Sequence, residues 1–185
     1  MKGIVFNLLE DAVTDEHGPD AWDDAVDASG VEGAYSAIGS YPDEQFVRLL
    51  GALPVDPAAR PDDSTSTRLV WFGRRAMPFL AERYAVFFEP HRSISTFLPT
   101  LNVVIHPEVR KLYPGADVPV FDVSHRGEVV VLGYRSHRGL CALARGFVLG
   151  AGDVFGEPVE VHEERCALAG AESCVIVCDP VGAPT

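Results

Sequence analysis

The feature that most constrains this chain is a change of hydrophobic period at Tyr113-Pro114-Gly115. Before that tripeptide, apolar residues recur at three and four positions, the spacing that builds a stripe along one helix face. After it they fall into short Val-rich runs that suit strands. A chain with a helical first half and a β second half segregates the two, which is an α+β arrangement.

Ile4, Val5, Leu8, Leu9 and Ala12 form the first stripe, and Gly18-Pro19 ends it. Pro19-Asp20-Ala21-Trp22 opens a second helix, because proline is tolerated in a first turn. A third helix is expected on Phe46, Val47, Leu49 and Leu50. Residues 53–67 hold Pro54, Pro57, Pro61 and a Ser/Thr run, and are expected to form a mobile surface loop. Helical spacing resumes over 69–88 and again over 95–112, the latter interrupted by Pro99 and Pro107. Strands are expected at 119–123 and 128–134, a helix crossing back over 139–155, and strands at 159–166 and 173–178. The expected whole is one domain over 1–185: a helical N-terminal half packed on a C-terminal antiparallel sheet with one crossing helix.

With 185 residues, 47% of them hydrophobic, the chain can bury a core and a cofactor pocket. Its net charge of -12 repels a phosphate backbone and argues against nucleic-acid binding. The acidic residues gathered over 11–27 read as a solvated helix face. No apolar run approaches the ~20 residues of a membrane span. The apolar start ends too early for a secretory leader, so a cytoplasmic location is expected.

Four groups of residues could carry chemistry. His106 follows Leu98, Leu101, Val103, Val104 and Ile105. A neutral imidazole in apolar surroundings can ligate iron, although a core or surface histidine is the plainer reading. Tyr134, Ser136 and Arg138 alternate, so on an extended strand they share a face. Two hydroxyls and a guanidinium match a pair of carboxylates; a polar outer strand face is the alternative. Cys141, His162, Cys166 and Cys174 offer three sulfurs and an imidazole for tetrahedral zinc, or are simply unlinked buried thiols. Pro119 reads locally as a strand start. No nucleophile–base pair, close carboxylate pair or phosphate loop is present, so catalysis is the least supported role.

Taken together, these residues resemble the haem nitric oxide/oxygen-binding family, known as H-NOX, over essentially the whole chain. The resemblance runs from Met1-Lys2-Gly3-Ile4-Val5-Phe6-Asn7, through Phe97-Leu98 and Val104-Ile105-His106, to Tyr113-Pro114-Gly115. It closes on the Tyr-x-Ser-x-Arg signature at Tyr134, Ser136 and Arg138. The resemblance implies a haem b between the helical half and the sheet, with His106 as its one protein ligand to iron. It implies that Tyr134, Ser136 and Arg138 bind the haem propionates and that Pro119 presses on the haem.

Oxygen-binding relatives carry a tyrosine five residues after the signature arginine. That position is Leu143 here, with Phe147 one turn on, and Val5 and Leu9 are apolar as well. The resemblance thus implies a pocket for nitric oxide and carbon monoxide that excludes oxygen. Some relatives bind zinc through three cysteines and a histidine three residues before the middle one. That position is Glu163, with His162 one residue earlier. On a regular strand His162 and Cys166 share a face, so His162 is the expected ligand and Glu163 the substitute, with Cys178 left as a free thiol. Pro107 disfavours helical geometry in the residue before it, which predicts a helix break at His106.

The family usually works beside a histidine kinase or a cyclic-dinucleotide enzyme, so a partner of that kind is expected. Two other readings are a haem-free module resembling the vinyl-reductase-like (4VR) ligand-binding domains, and a zinc or thiol redox switch.

Overall fold

The computed structural model describes residues 1–54 and 64–181. Most of the expected loop over 53–67 lies outside the described residues. Its last part, from Thr65, is already helical.

The N-terminal half contributes α1 (Gly3–His17), α2 (Pro19–Ser29), α3 (Asp43–Ala52) and α4 (Thr65–Arg83). The start of α1 has no side-chain cap. Its free N–H groups are met instead by a folded-back turn: Gly3 N–H donates to the Gly39 carbonyl and Ile4 N–H to that of Ala37, both at 3.0 Å. A Cβ on Gly3 would lie 1.9 Å from the Ser36 carbonyl oxygen, so only glycine permits this approach. Of the stripe read from the sequence, Leu8, Leu9 and Ala12 are buried and Ile4 and Val5 half-buried; Phe6 and Val13, outside that stripe, are fully inside with Phe46, Leu49, Leu50 and Phe72.

Residues 95–112 are helical, but not as one helix. Short α5 (Ile94–Phe97) is followed by a π-helical stretch, Leu101–Ile105, and then by α6 (His106–Leu112). No break occurs at His106, whose φ of -64° and ψ of -36° are helical. The interruption that Pro107 predicts takes another form. The helix changes register from π to α at His106, which puts Pro107 in the first turn of α6, where its missing N–H costs nothing.

The C-terminal half is β1 (Val120–Arg126), β2 (Val129–Arg135), α7 (Cys141–Phe155), β3 (Val159–Arg165) and β4 (Cys174–Pro180). The sheet is antiparallel throughout, in the order β1-β2-β4-β3. One face packs on α7 through Val130, Leu132, Ile176 and Cys178. α7 in turn crosses α4 at very short range. A Cβ on Gly146 would lie 2.3 Å from the Val70 carbonyl oxygen, and one on Gly73 2.6 Å from that of Leu143. The Arg74 guanidinium grips the Asp153 carboxylate across this crossing at 2.5 and 2.8 Å. Helical half and sheet are thereby joined through α7, and a cavity remains between them.

Candidate functional site

The cavity has a volume of about 610 Å³, within the range of small-molecule and cofactor pockets. Its walls come from every layer of the fold. α1 supplies Ile4, Val5 and Leu8; α4 supplies Met77 and Leu80; α6 supplies His106; α7 supplies Leu143, Ala144, Phe147 and Val148. Pro119, Phe121, Leu132 and Tyr134 close the sheet side. Arg138, Asp43, Ser136 and Tyr41 give the wall a polar sector.

His106 reaches this cavity from the π-to-α junction. Its Nδ1 is buried and makes no hydrogen bond of full geometry among the described residues, with the Pro119 carbonyl as the backbone acceptor acting on the ring. Burial lowers its pKa from 6.5 to about 4, helped by the positive charge of Arg110, and the nearby Pro119 carbonyl opposes them only in part. The imidazole is therefore neutral at physiological pH, the state in which it binds a metal. The Phe121 ring lies beside it, with centroids 5.6 Å apart and planes at 32°.

Tyr134, Ser136 and Arg138 all line the cavity, but strand alternation is not what gathers them. β2 ends at Arg135, and Ser136–Arg138 lie in the turn that precedes α7. Ser136 Oγ accepts the Arg138 backbone N–H at 3.2 Å. Arg138 makes a two-bond pair with the Asp43 carboxylate, at 2.7 Å from Nε and 2.9 Å from Nη2. Burial would raise the Asp43 carboxyl, but Arg138 and the Met1 ammonium outweigh it and hold its pKa below the usual value. Burial raises the Tyr134 hydroxyl.

Leu9 is the exception among the expected wall residues. It is fully buried in the helical core, while Ile4, Val5 and Leu8 face the cavity. One further helical step of about 100° carries position 9 off that face. Met77 and Leu80 join the wall without a sequence motif to mark them, although their i, i+3 spacing on an apolar helix is a readable signal.

The thiols form a second cluster. Ligand atoms of Cys141, Glu163, Cys166 and Cys174 all lie within 4.8 Å of one another. Cys141 and Cys166 sulfurs are 3.8 Å apart, and the Ala167 N–H donates to Cys174 Sγ at 3.2 Å. His162 is not in this group. It is exposed and pairs with Asp179 at 3.5 Å. The cause is a register irregularity between Glu163 and Arg165. One extra residue reverses the alternation, so Glu163 rather than His162 shares a face with Cys166. Glu163 Oε1 is buried without a partner among the described residues. Burial raises the Cys141 thiol, and the neighbouring Glu163 adds to the shift.

A neutral imidazole in a largely apolar cavity that also meets an arginine has the donor set to hold a metallocofactor that carries carboxylates. The family model for haem-NO-binding proteins matches residues 2–163, and the chain belongs to that family. Solved relatives share the fold along their whole length. An H-NOX protein from S. oneidensis in the Fe(II)NO ligation state is 27% identical, with a TM-score of 0.83 over 97% of this chain and 99% of that one. The NMR structure of the Shewanella oneidensis H-NOX domain in the Fe(II)CO state is 25% identical, with a TM-score of 0.83 over 99% and 100%. A point mutant of an H-NOX protein from K. algicida, in the unliganded Fe(II) state, is 26% identical, with a TM-score of 0.78 over 97% and 96%. No curated protein matches the sequence.

The residues present fit a haem. A neutral imidazole with a shielded nitrogen suits axial ligation, the aliphatic and aromatic walls suit a porphyrin face, and Arg138 suits a propionate. Membership of this family makes the chain a haem-based gas sensor. None of its described helices is long and apolar enough to cross a membrane.

Proposed function

We propose that this protein senses nitric oxide, also takes up carbon monoxide, excludes oxygen and signals to a separate partner protein. The observation that carries the reading is the half-buried, neutral His106 imidazole, its Nδ1 out of contact with solvent beside the Pro119 carbonyl, in an apolar cavity shared with Arg138. Haem b supplies the iron that takes up the gas. His106 would be its one protein ligand. Tyr134, Ser136 and Arg138 would hold the propionates, with one of them sharing or displacing the Asp43 carboxylate on Arg138. Pro119 and Phe121 would bear on the haem from the side of His106.

Selectivity follows from the wall that α1 and α7 build. Val5, Leu143 and Phe147 present only hydrocarbon there. Bound oxygen draws negative charge from iron and gains from a hydroxyl donor, while nitric oxide needs such help far less. The Tyr84 and Tyr113 hydroxyls at the cavity wall bond to each other.

Signalling would start at His106, because it ties α6 to the cofactor. A change in that tether would let α6 and the π-helical stretch shift against the sheet, a two-state element that a ligand can bias. A histidine kinase or a cyclic-dinucleotide enzyme is the partner class proposed to read the shift. Cys141, Cys166, Cys174 and Glu163 would hold one zinc ion, as the buried, unpartnered Glu163 oxygen supports.

The test is spectroscopic. Ferrous protein should change its absorption with nitric oxide and with carbon monoxide, yet give no stable oxygen complex in air. A stable oxygen spectrum would overturn the selectivity, and a chain that stays colourless after haem addition would favour a haem-free binding module. Metal analysis should find about one zinc per chain, lost in Cys166→Ser, if three thiolates and a carboxylate are the ligand set.

A further inference from the structure

We propose that Asn102 is a positioning residue for the helix that carries His106. Its side-chain amide clamps Phe121 of β1, and so holds the Phe121 ring against the His106 imidazole. The inference rests on the haem reading above and goes beyond it to a residue that touches neither haem nor gas.

Asn102 lies in the π-helical stretch, four residues before His106. Its Nδ2 donates to the Phe121 carbonyl, and its Oδ1 accepts the Phe121 N–H at 3.1 Å. One side chain thus satisfies both backbone groups of one strand residue, as a neighbouring strand would. β1 is an edge of the sheet, so its outer backbone groups have no strand neighbour. The amide meets that edge where the ring matters most. Phe121 sits 5.6 Å from the His106 ring and 5.7 Å from that of Tyr134, between the iron-ligand position and the Tyr-x-Ser-x-Arg signature.

Asn102 is exposed, so core packing does not explain its place. A single exposed hydrogen bond contributes little. A paired one fixes register, because both bonds hold only at one sliding position of helix against strand. Asn102 makes these bonds from within the π turn, and such turns recur at functional sites. An aliphatic residue at 102 would leave the helix folded and free to slide along the edge, changing the angle at which Phe121 meets the imidazole.

The test uses the full chain, with and without haem, in three variants. In the haem-free protein, Asn102→Leu should raise the exchange rate of the Phe121 amide ~10-fold, the equivalent of one lost hydrogen bond. In the ferrous haem protein, Asn102→Leu should shift the iron–histidine stretching band. Phe121→Leu should shift the same band while leaving the backbone clamp in place. Asn102→Asp keeps the acceptor, loses the donor, and carries the same test if the leucine variant does not fold. An unmoved band in haem-loaded Asn102 and Phe121 variants would overturn the proposal, even if their melting temperatures fall. Wild-type chain that takes up no haem would sink the haem reading instead, and the amide exchange would still report on the clamp.

Discussion

At the scale of single residues, His106 concentrates the physics of the site. The fold half-buries its ring and shields Nδ1 beside the Pro119 carbonyl, which keeps the imidazole neutral and able to ligate a metal. His106→Ala should therefore yield protein with little haem, and added imidazole should restore the colour; normal haem content in that variant would remove His106 from the role. The same burial has a signature in the haem-free chain. The unfolded chain takes up the His106 proton near pH 6.5, the folded chain only near pH 4. Between those values the unfolded state binds more protons, so stability falls as pH is lowered through that window. Urea titrations across it should show that slope in the wild type and a shallower one in His106→Leu.

At the scale of elements, the α4–α7 crossing sets where the cavity walls stand. Met77 and Leu80 on one helix and Leu143 and Phe147 on the other can face the same space because Gly73 and Gly146 let the backbones touch. Gly146→Ala would place a methyl 2.3 Å from the Val70 carbonyl oxygen. The helices must separate to admit it, and a cost of about 1–3 kcal/mol is expected, as for other overpacked cores. Thermal unfolding should report the loss, together with a changed carbon monoxide rebinding rate as the pocket widens. An unchanged melting temperature would show that the crossing has slack. The bulged β3 makes the same point for the thiol cluster: one inserted residue decides whether Glu163 or His162 meets the sulfurs.

At the scale of the whole molecule, Arg138 joins the two halves. It stands in the turn between β2 and α7, yet its partner Asp43 opens α3 in the helical half. In the proposed function it also meets a propionate, so cofactor retention and the joining of the halves depend on one guanidinium. Arg138→Ala should speed haem dissociation ~10-fold or more, since charge-assisted bonds of this kind are among the stronger ones. Arg138→Lys should restore only part of that, because an ammonium cannot make the two-bond pair. Haem loss at the wild-type rate in both variants would count against the role.

The sequence by itself determined the α+β division, the order of the elements and the family, because these depend on local period and on motifs contiguous in the chain. The Tyr-x-Ser-x-Arg signature, the placement of His106 after an apolar run and the apolar Leu143 are all of that kind. Only the tertiary structure decided which side chains meet. The resemblance set Leu9 beside Val5 on the wall, and the regular α1 helix turns it instead into the core with Phe46 and Leu49. A regular strand selected His162, and a bulge exchanged it for Glu163. A proline rule predicted a break at His106, and a π turn absorbed it. The Asn102 clamp lay outside any motif, because its partner is 19 residues away on a strand edge. Local period fixes an ideal direction for a side chain, but packing between distant elements, and at β3 one residue of register, decides what that side chain meets.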